Sequence, residues 1–250
     1  IEVIAGREEA RLIYLGVAHA LPPAESRRLV VDVGGGSTEL IVGQALKPRL
    51  MESLYMGCVS SSLRHFPEQR IDKRSMKAAV LEARQELAAV SRSYLRSGWQ
   101  EAVGSSGTAR TIETVLAANG FSASGITREG LEQLRELLID TGRADPDRIA
   151  GLKASRAAVL PGGFAIMYAV FDELDIEQMI VSEAALRHGV LYDLLGRVEH
   201  RDMREATVVQ YMRRYQVDAA QAARVRELAL RIHEQLAGSG EGGTDRLMLD

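Results

Sequence analysis

The first part of the chain alternates between short apolar runs and turn-forming residues. Buried strands are predicted at residues 29–33, 39–42 and 50–54 because β-branched and other apolar residues dominate these runs. Lys47-Pro48 lies between the second and third runs, where we expect a loop. The three strands should then form a meander. Residues 1–16 predict a strand tip followed by a helix, which Pro22-Pro23 ends.

Helical spacing of apolar residues begins after the third strand. One long helix is predicted, with Asp72 as its N-cap and Gly98 as its stop. Its apolar face consists of Met76, Val80, Ala83, Leu87, Val90 and Tyr94. We expect Thr127 to cap a further helix that runs to Gly142.

Glycine segments follow several of the apolar runs. A strand at residues 101–103 leads into residues 104–108 and a helix that ends at Ala118. Pro161-Gly162-Gly163 is predicted to be a turn that opens an apolar helix through Phe171. A strand at 178–181 and a helix at 188–195 complete an α/β pattern, with helices covering a buried sheet.

The character of the sequence changes near residue 198. Residues 208–236 carry only helical signals, and residues 238–243 predict a flexible linker or loop. We therefore place a domain boundary near residue 198.

Composition narrows the class of protein. The 250 residues are 46% hydrophobic and 26% charged, which is ordinary for a globular protein. A net charge of -3 gives no global positive field, so recognition of a polyanion has to be local. The lone cysteine, Cys58, excludes an internal disulfide and favours a reducing, cytoplasmic compartment. No apolar run is long enough for a membrane helix, and we expect no membrane partner.

The strongest chemical signal is the segment from Asp32 to Glu39. Three glycines, Gly34, Gly35 and Gly36, would let backbone amides approach a phosphate without obstruction. Two hydroxyl residues and two carboxylates complete the set; they are Ser37, Thr38, Asp32 and Glu39. Carboxylate oxygens suit Mg²⁺, so Asp32 and Glu39 are predicted metal ligands. The alternative is a glycine-rich hairpin turn whose two acids have no function. Three adjacent glycines argue against that alternative, because they weaken the strands that an ordinary turn connects.

A second glycine segment lies where a strand meets a helix. It consists of Gly104, Ser105, Ser106, Gly107 and Thr108. Amides at a helix start can bind an anion, although Thr108 as an ordinary N-cap explains the segment equally well. If both segments lie at strand ends, they should face each other across one cleft and hold one phosphate chain.

Other chemistries find little support. No histidine lies at metal-ligand spacing from Cys58 or another histidine, and no Gly-x-Ser-x-Gly motif occurs. A single tryptophan and 5% aromatics offer no base-stacking surface, so a nucleic-acid partner is not expected. Glu8-Glu9 is ordinary for a solvated helix face, and periodicity does not single out Glu9.

These motifs together resemble one family. The Glu8-Glu9-Ala10-Arg11 run, the Asp32–Glu39 block and the second glycine segment occur in the order of the exopolyphosphatase/guanosine pentaphosphate phosphohydrolase (Ppx/GppA) family. Met56-Gly57-Cys58-Val59-Ser60 and Pro161-Gly162-Gly163 add to the resemblance, which extends to about residue 200. It implies an actin-like fold, of the ribonuclease-H-like ASKHA type, with two lobes around a cleft.

The resemblance also implies residue roles. Glu9 matches the family's catalytic base, and Asp32 and Glu39 match its catalytic and divalent-metal carboxylates. Residues 34–38 match one phosphate loop and residues 104–108 a second. The cofactor implied is Mg²⁺ or another divalent cation.

The sequence departs from the family at both ends. The family's Asp-x-Gly-Ser-Asn-Ser phosphate loop is absent, and no His-Asp pair marks the helical HD-like domain of longer members. We expect residues 1–25 to end the first lobe, 26–197 to form the second, and 198–250 to begin a truncated helical domain. The chain is then expected to be an incomplete piece with little activity of its own.

The function implied is hydrolysis of terminal phosphoanhydride bonds in polyphosphate or guanosine pentaphosphate, with Mg²⁺ and a water activated by Glu9. An actin-fold phosphotransferase and a non-catalytic module that binds polyphosphate or guanosine pentaphosphate stay open as alternatives. The resemblance also implies a homodimer for the complete protein.

Overall fold

The computed structural model describes residues 4–22, 26–198, 212 and 217–236. The chain separates into two compact units, Ile1–Leu194 and Leu195–Asp250. Among the described residues, no helix is both long enough and apolar enough to cross a membrane.

In the described part of the first unit, six strands form one mixed sheet. Their bounds are β1 Arg27–Val33, β2 Thr38–Gln44, β3 Lys47–Leu54, β4 Glu101–Ser105, β5 Ile126–Thr127 and β6 Gln178–Ser182. The order across the sheet is β3-β2-β1-β4-β6-β5. Strands β1, β4 and β6 are parallel, whereas β2 and β3 form an antiparallel meander with β1.

Helices follow or precede most strands. Their bounds are α1 Gly6–Ala20, α2 Cys58–His65, α3 Lys73–Ala88, α4 Ser91–Ser97, α5 Gly107–Ala118, α6 Arg128–Thr141, α7 Ala154–Ala157, α8 Leu160–Glu173, α9 Leu186–Val198 and, in the second unit, α10 Ala219–Leu236. The α/β prediction is confirmed.

The two faces of the sheet bury different residues. Leu29, Val31 and Val33 of β1 join the main hydrophobic core, which also takes in residues of α2, α3, α5, α6 and α8. Alternation along the strand sends Val30 and Asp32 to the opposite face. That face carries α1, which contacts β1, β2 and β3.

Two residues of helix α1 show where it packs against β2 and β3. At its first residue, a Cβ on Gly6 would come within 2.6 Å of Ser53 Oγ. About two turns further on, the Tyr14 ring lies against Gly43, and its hydroxyl donates to Ala45 O at 3.0 Å. The first turn of α1 therefore lies where β3 ends and β2 begins.

The predicted loop at Lys47-Pro48 is wrong. Both residues belong to β3, and the turn is the two-residue Ala45-Leu46. Proline is tolerated there because β3 is an edge strand and the pairing shifts by a bulge between Val42 and Gly43.

The single long helix predicted over residues 72–98 is also wrong in its middle. Asp72 caps α3 through Ser75 N, as expected, but the chain breaks before Ser91 and starts α4. The break has a packing reason, because it lets the buried Tyr94 hydroxyl donate to Leu40 O at 2.6 Å.

Pro161-Gly162-Gly163 forms the first turn of α8 instead of a separate turn. The glycines are needed for helix packing, since a Cβ on Gly162 would lie 2.4 Å from Ser62 N. No sequence prediction was made for α2, which supplies that contact. The predicted strand tip is not seen at Ile4 and Ala5, and residues 1–3 lie outside the described range.

The second unit contributes α10, which overlaps the predicted helix at 208–236. Asp218 Oδ1 accepts hydrogen bonds from the amides of Ala220 and Gln221 at its start. The predicted linker at 238–243 lies outside the described residues.

Candidate active site

Two carboxylates lie opposite each other at the end of the β1–β2 hairpin. Asp32 and Glu39 are direct partners in the antiparallel register, so both side chains project from the face that carries α1. The turn between the strands closes with a 2.9 Å hydrogen bond from Gly34 N to Ser37 O. Asp32 is 8% exposed and Glu39 is 1% exposed, so both acids are held away from bulk water.

Serine hydroxyls bind each carboxylate. Ser105 Oγ donates to Asp32 Oδ2 at 2.9 Å, and Ser53 Oγ donates to Glu39 Oε1 at 2.8 Å. Ser53 lies directly opposite Glu39 on β3, so the strand pairing of the meander places this donor beside the carboxylate. Donors of this kind favour the charged form of a carboxylate.

Burial works against ionisation of both acids. It raises the pKa of Asp32 to about 7, and the charges of Glu39 and Glu9 add to the increase. The Ser105 hydrogen bond and the charge of Arg110 act in the opposite direction. Burial also raises the pKa of Glu39, assisted by the charge of Glu9. The three acids therefore form one electrostatically coupled group.

The structure separates the two adjacent acids of α1. Glu8 forms a two-point ion pair with Arg11, with distances of 2.9 Å from Nε and 2.8 Å from Nη2. The Glu9 carboxylate forms no ion pair or hydrogen bond with any described residue, and its charge acts on Asp32 and Glu39. Geometry thus distinguishes Glu9, which periodicity could not do.

The glycine turn presents its amides outward. Its carbonyls are held from behind, because Gly34 O accepts from Cys58 N at 2.8 Å and Gly35 O accepts from Val59 N at 3.0 Å. The amides of Gly35 and Gly36 donate to no described residue, and both glycines are exposed. Such a row of free backbone donors suits an anion.

The second glycine segment lies beside the first. Strands β1 and β4 are parallel neighbours with Val31 opposite Gly104, so both strands end at the same edge of the sheet. Thr108 Oγ1 donates to Val33 O at 2.9 Å and ties the start of α5 to the end of β1. The structure therefore brings the two segments together, although it does not by itself define a cleft between them.

Several predicted phosphate-binding groups have structural duties instead. Gly104 lies inside β4, where a Cβ would come within 2.8 Å of Ala109 Cβ. The hydroxyl of Thr38 donates to Met56 O at 2.7 Å, and those of Ser105 and Thr108 are engaged as described. Ser106 Oγ caps α5 by accepting from Ala109 N. These side chains hold the loops, and among the described groups of the glycine turn the amides of Gly35 and Gly36 are left without an acceptor.

Two arginines near the glycine segments are not among the site residues predicted from the sequence. Arg156 of α7 lies so close to Gly107 that a Cβ there would be 2.3 Å from a terminal guanidinium nitrogen. The Arg156 guanidinium forms no ion pair or hydrogen bond with any described residue. Arg110, one turn into α5, donates to Glu183 O at 3.0 Å and influences Asp32. Their sequence surroundings carry no motif, whereas Ser53 could have been found from the register of the meander.

The donor set suits a hard divalent cation. Among the described residues, no three His, Cys, Asp or Glu side chains gather closely enough to form a complete metal centre. Mg²⁺ does not require one, because it is usually held by one or two carboxylates together with waters and substrate phosphates. Asp32 and Glu39 fit that pattern, and a cation beside them would offset the burial that raises both pKa values.

Comparison with known proteins places this site in context. The model of the Ppx/GppA phosphatase family matches residues 1–198. A crystal structure of the Aquifex aeolicus Ppx/GppA family member is similar, with 27% identity and a TM-score of 0.66, covering 78% of this chain and 64% of that one. Its type II variant gives 28% identity, a TM-score of 0.62, and coverages of 76% and 64%.

An exopolyphosphatase from Cytophaga hutchinsonii has 24% identity and a TM-score of 0.67, covering 78% of this chain and 65% of that one. The mixed sheet and its surrounding helices match these structures, which confirms the predicted actin-like fold. The chain spans about 64% of the length of the Aquifex structures.

Proposed function

Because the chain belongs to the Ppx/GppA phosphatase family, we propose that the whole protein hydrolyses terminal phosphoanhydride bonds of inorganic polyphosphate or guanosine pentaphosphate. The observation that carries the proposal is the facing pair Asp32 and Glu39, buried beside free loop amides and electrostatically coupled to the unpaired Glu9. A phosphate-binding surface next to coupled acids is what phosphoryl transfer to water requires.

Substrate binding is assigned to backbone and guanidinium donors. The terminal phosphates would lie against the amides of Gly35 and Gly36 and the first turn of α5. Arg156 would neutralise part of the phosphate charge from the side of Gly107. Because the net charge of the chain is -3, these local donors have to overcome an unfavourable overall field.

Glu9 is proposed to be the general base. It accepts a proton from water as the water oxygen forms a bond to the terminal phosphorus. The bond from that phosphorus to the bridging oxygen breaks, which releases inorganic phosphate and a chain shorter by one phosphate. A Glu9 carboxylate paired with Arg11 would be a poorer base, so the diversion of Arg11 to Glu8 favours this role.

Asp32 and Glu39 would hold Mg²⁺, which when bound supplies charge stabilisation for the phosphate oxygens. Ser105 and Ser53 fix the positions of the two carboxylates by donating to their oxygens. Their hydrogen bonds also favour the ionised form that a cation needs.

Phosphate release without an acceptor tests the proposal. The purified whole protein is incubated with Mg²⁺ and polyphosphate, or with guanosine pentaphosphate, and inorganic phosphate is measured. Release that Glu9→Gln abolishes supports hydrolysis. Transfer of phosphate only when an alcohol acceptor is present would instead favour a phosphotransferase. Binding of polyphosphate with neither reaction would favour the non-catalytic module.

A further inference from the structure

Helices α1 and α9 touch through their backbones. A Cβ on Gly189 would come within 1.7 Å of Leu12 O, and a Cβ on Gly16 would come within 2.6 Å of Ala185 O. Neither position has room for any side chain. The stacked rings of His19 and Tyr192, with centroids 4.1 Å apart, add a further contact between the same helices.

A buried ion pair lies along this contact. Arg11 Nη2 is 2.7 Å from Asp193 Oδ1, and the two side chains are 3% and 4% exposed. Burial alone would lower the pKa of Arg11, but the hydrogen bonds to Glu8 and Asp193 outweigh it and raise that pKa. Removing two charges from water costs free energy, and the attraction between them offsets that cost only when their geometry is good. Apolar side chains of similar size would join the two helices without this cost.

The base-bearing end of α1 also contacts β3. Its N-cap residue, Ala5, has no side chain that can cap the helix. Its first turn is tied to β3 by the ion pair between Arg7 and Glu52 at 3.0 Å and by the contact of Gly6 with Ser53. A small rotation of α1 about its axis would swing Glu9 away from the two buried acids.

We propose that Arg11 and Asp193 are positioning residues for Glu9. The guanidinium ties α1 to α9 and so fixes the rotation of α1, while its other contacts occupy Glu8 and leave Glu9 unpaired. This inference rests on the proposed function, in which Glu9 is the base. Neither Arg11 nor Asp193 touches the substrate in this scheme.

The test compares three changes at the pair. Asp193→Asn keeps the shape and removes the charge, and Arg11→Lys keeps the charge but loses the two-point fork to Glu8. The double variant Arg11→Met with Asp193→Leu replaces the ion pair by apolar side chains of similar size, a change that buried pairs often tolerate in stability. Arg28→Gln is the matched control, because Arg28 is also a buried arginine in an ion pair, with Glu101.

Two measurements are made on each variant: phosphate-release kinetics, and hydrogen exchange of the α1 amides. We expect kcat to fall about ten- to a hundred-fold in all three, with KM changed less than about three-fold, because the loops are untouched. The double variant should regain the wild-type melting temperature but not the wild-type kcat. A double variant that regains both would show that the pair is merely structural and would overturn the proposal.

Hydrogen exchange separates this inference from the proposed function. If the wild type releases no phosphate, the proposed function fails on its own. Exchange of the α1 amides should still be faster in Asp193→Asn than in Arg28→Gln. Unchanged α1 exchange in Asp193→Asn would overturn the positioning role whether or not the protein is a hydrolase.

Discussion

Ser105 Oγ donates a hydrogen bond to Asp32 Oδ2 across 2.9 Å, from the end of β4 to the end of β1. The same hydroxyl reaches Ala184 O at 3.1 Å, just beyond β6. One fully buried side chain thus joins the ends of the three parallel strands to the acid that faces Glu39. Asp32 is consequently held in place even though burial disfavours its charge.

The raised pKa of Asp32 predicts a pH-dependent stability. The folded protein keeps a proton on Asp32 up to its pKa of about 7, whereas the unfolded chain releases it near the ordinary value of about 3.9. The folded state binds more protons in that interval, so stability should fall as pH rises from about 4 to about 7.

Asp32→Asn should remove this fall. Without divalent cations, we expect the free energy of unfolding of the variant to exceed that of the wild type by roughly 2 to 4 kcal/mol at pH 8. Near pH 4 the two free energies should be equal. Ser105→Ala, which removes a donor that favours the charged form, should raise the pKa of Asp32 further and extend the fall in stability to higher pH. Urea unfolding at pH 4, 6 and 8 measures both effects, and a stability difference that does not vary with pH would contradict the assignment.

Metal dependence should follow the same two acids. Asp32→Ala and Glu39→Ala are each expected to raise the Mg²⁺ concentration that half-activates phosphate release, because each removes one carboxylate ligand. Glu52→Ala is the matched control, since this acid on β3 is paired with Arg7. If both variants kept the wild-type activation curve, the cation would have to be held elsewhere.

Glu9→Gln should abolish turnover while leaving substrate binding largely intact. The amide preserves the shape of the side chain but cannot accept the proton of water, and general-base assistance contributes about 10² to 10⁴ in rate. Glu8→Gln is the neighbouring comparison and should lose less activity than Glu9→Gln, because Glu8 acts only through Arg11. Steady-state kinetics and calorimetric binding of tripolyphosphate distinguish the two variants, and a near-normal kcat in Glu9→Gln would refute its role.

Substitutions of two glycines at the glycine turn should differ in their effects on stability and on phosphate binding. A Cβ on Gly36 meets no described atom within 4 Å, so Gly36→Ala should change stability by less than about 0.5 kcal/mol. It should nevertheless weaken tripolyphosphate binding about ten-fold, because the methyl group would occupy the space in front of the amides. A variant with unchanged affinity would mean that phosphate does not approach this turn.

Gly57→Ala should behave in the reverse way. A Cβ there would come within 2.3 Å of Gly35 O, so the loop or α2 has to move. We expect a loss of thermal stability along with any loss of binding. Melting temperatures of the two variants, measured side by side, separate space kept for packing from space kept for a ligand.

The sequence predicted the parts of the fold that local patterns control. The strands beginning near Leu29, Glu39 and Gln178 and the caps at Asp72 and Thr127 follow from periodicity and side-chain chemistry. The break between α3 and α4 could not be predicted, because Val90 fits a continuous helix and the cause is the distant contact of Tyr94 with Leu40.

The same division holds for the candidate site. The facing of Asp32 and Glu39 follows from a meander with a short turn, and the register then delivers Ser53 to Glu39. The separation of Glu8 from Glu9 depends on Arg11 and Asp193, which are 182 residues apart. No local pattern carries such information, and only the resemblance to a family singled out Glu9 beforehand.

Arg156 gives the last prediction. Its guanidinium lies against Gly107 in the first turn of α5, where helix amides already favour an anion, and it has no ion pair or hydrogen bond with any described residue. A positive charge next to a helix start, without a partner among the described residues, is stabilised when a phosphate arrives. We therefore expect Arg156→Gln to raise KM for polyphosphate about ten-fold, with little change in melting temperature.

Two further variants sharpen this test. Arg156→Lys should recover only part of the affinity, because a lysine ammonium cannot form the two-point contact that a guanidinium makes with phosphate. Arg92→Gln on α4 serves as the charge-matched control, since Arg92 is exposed and its helix leads into the opposite end of β4. The KM of Arg156→Gln should also depend less steeply on salt, because one fewer cation contacts the substrate. Equal KM values for Arg156→Gln and Arg92→Gln would exclude Arg156 from the binding site and leave the loop amides to hold the phosphate alone.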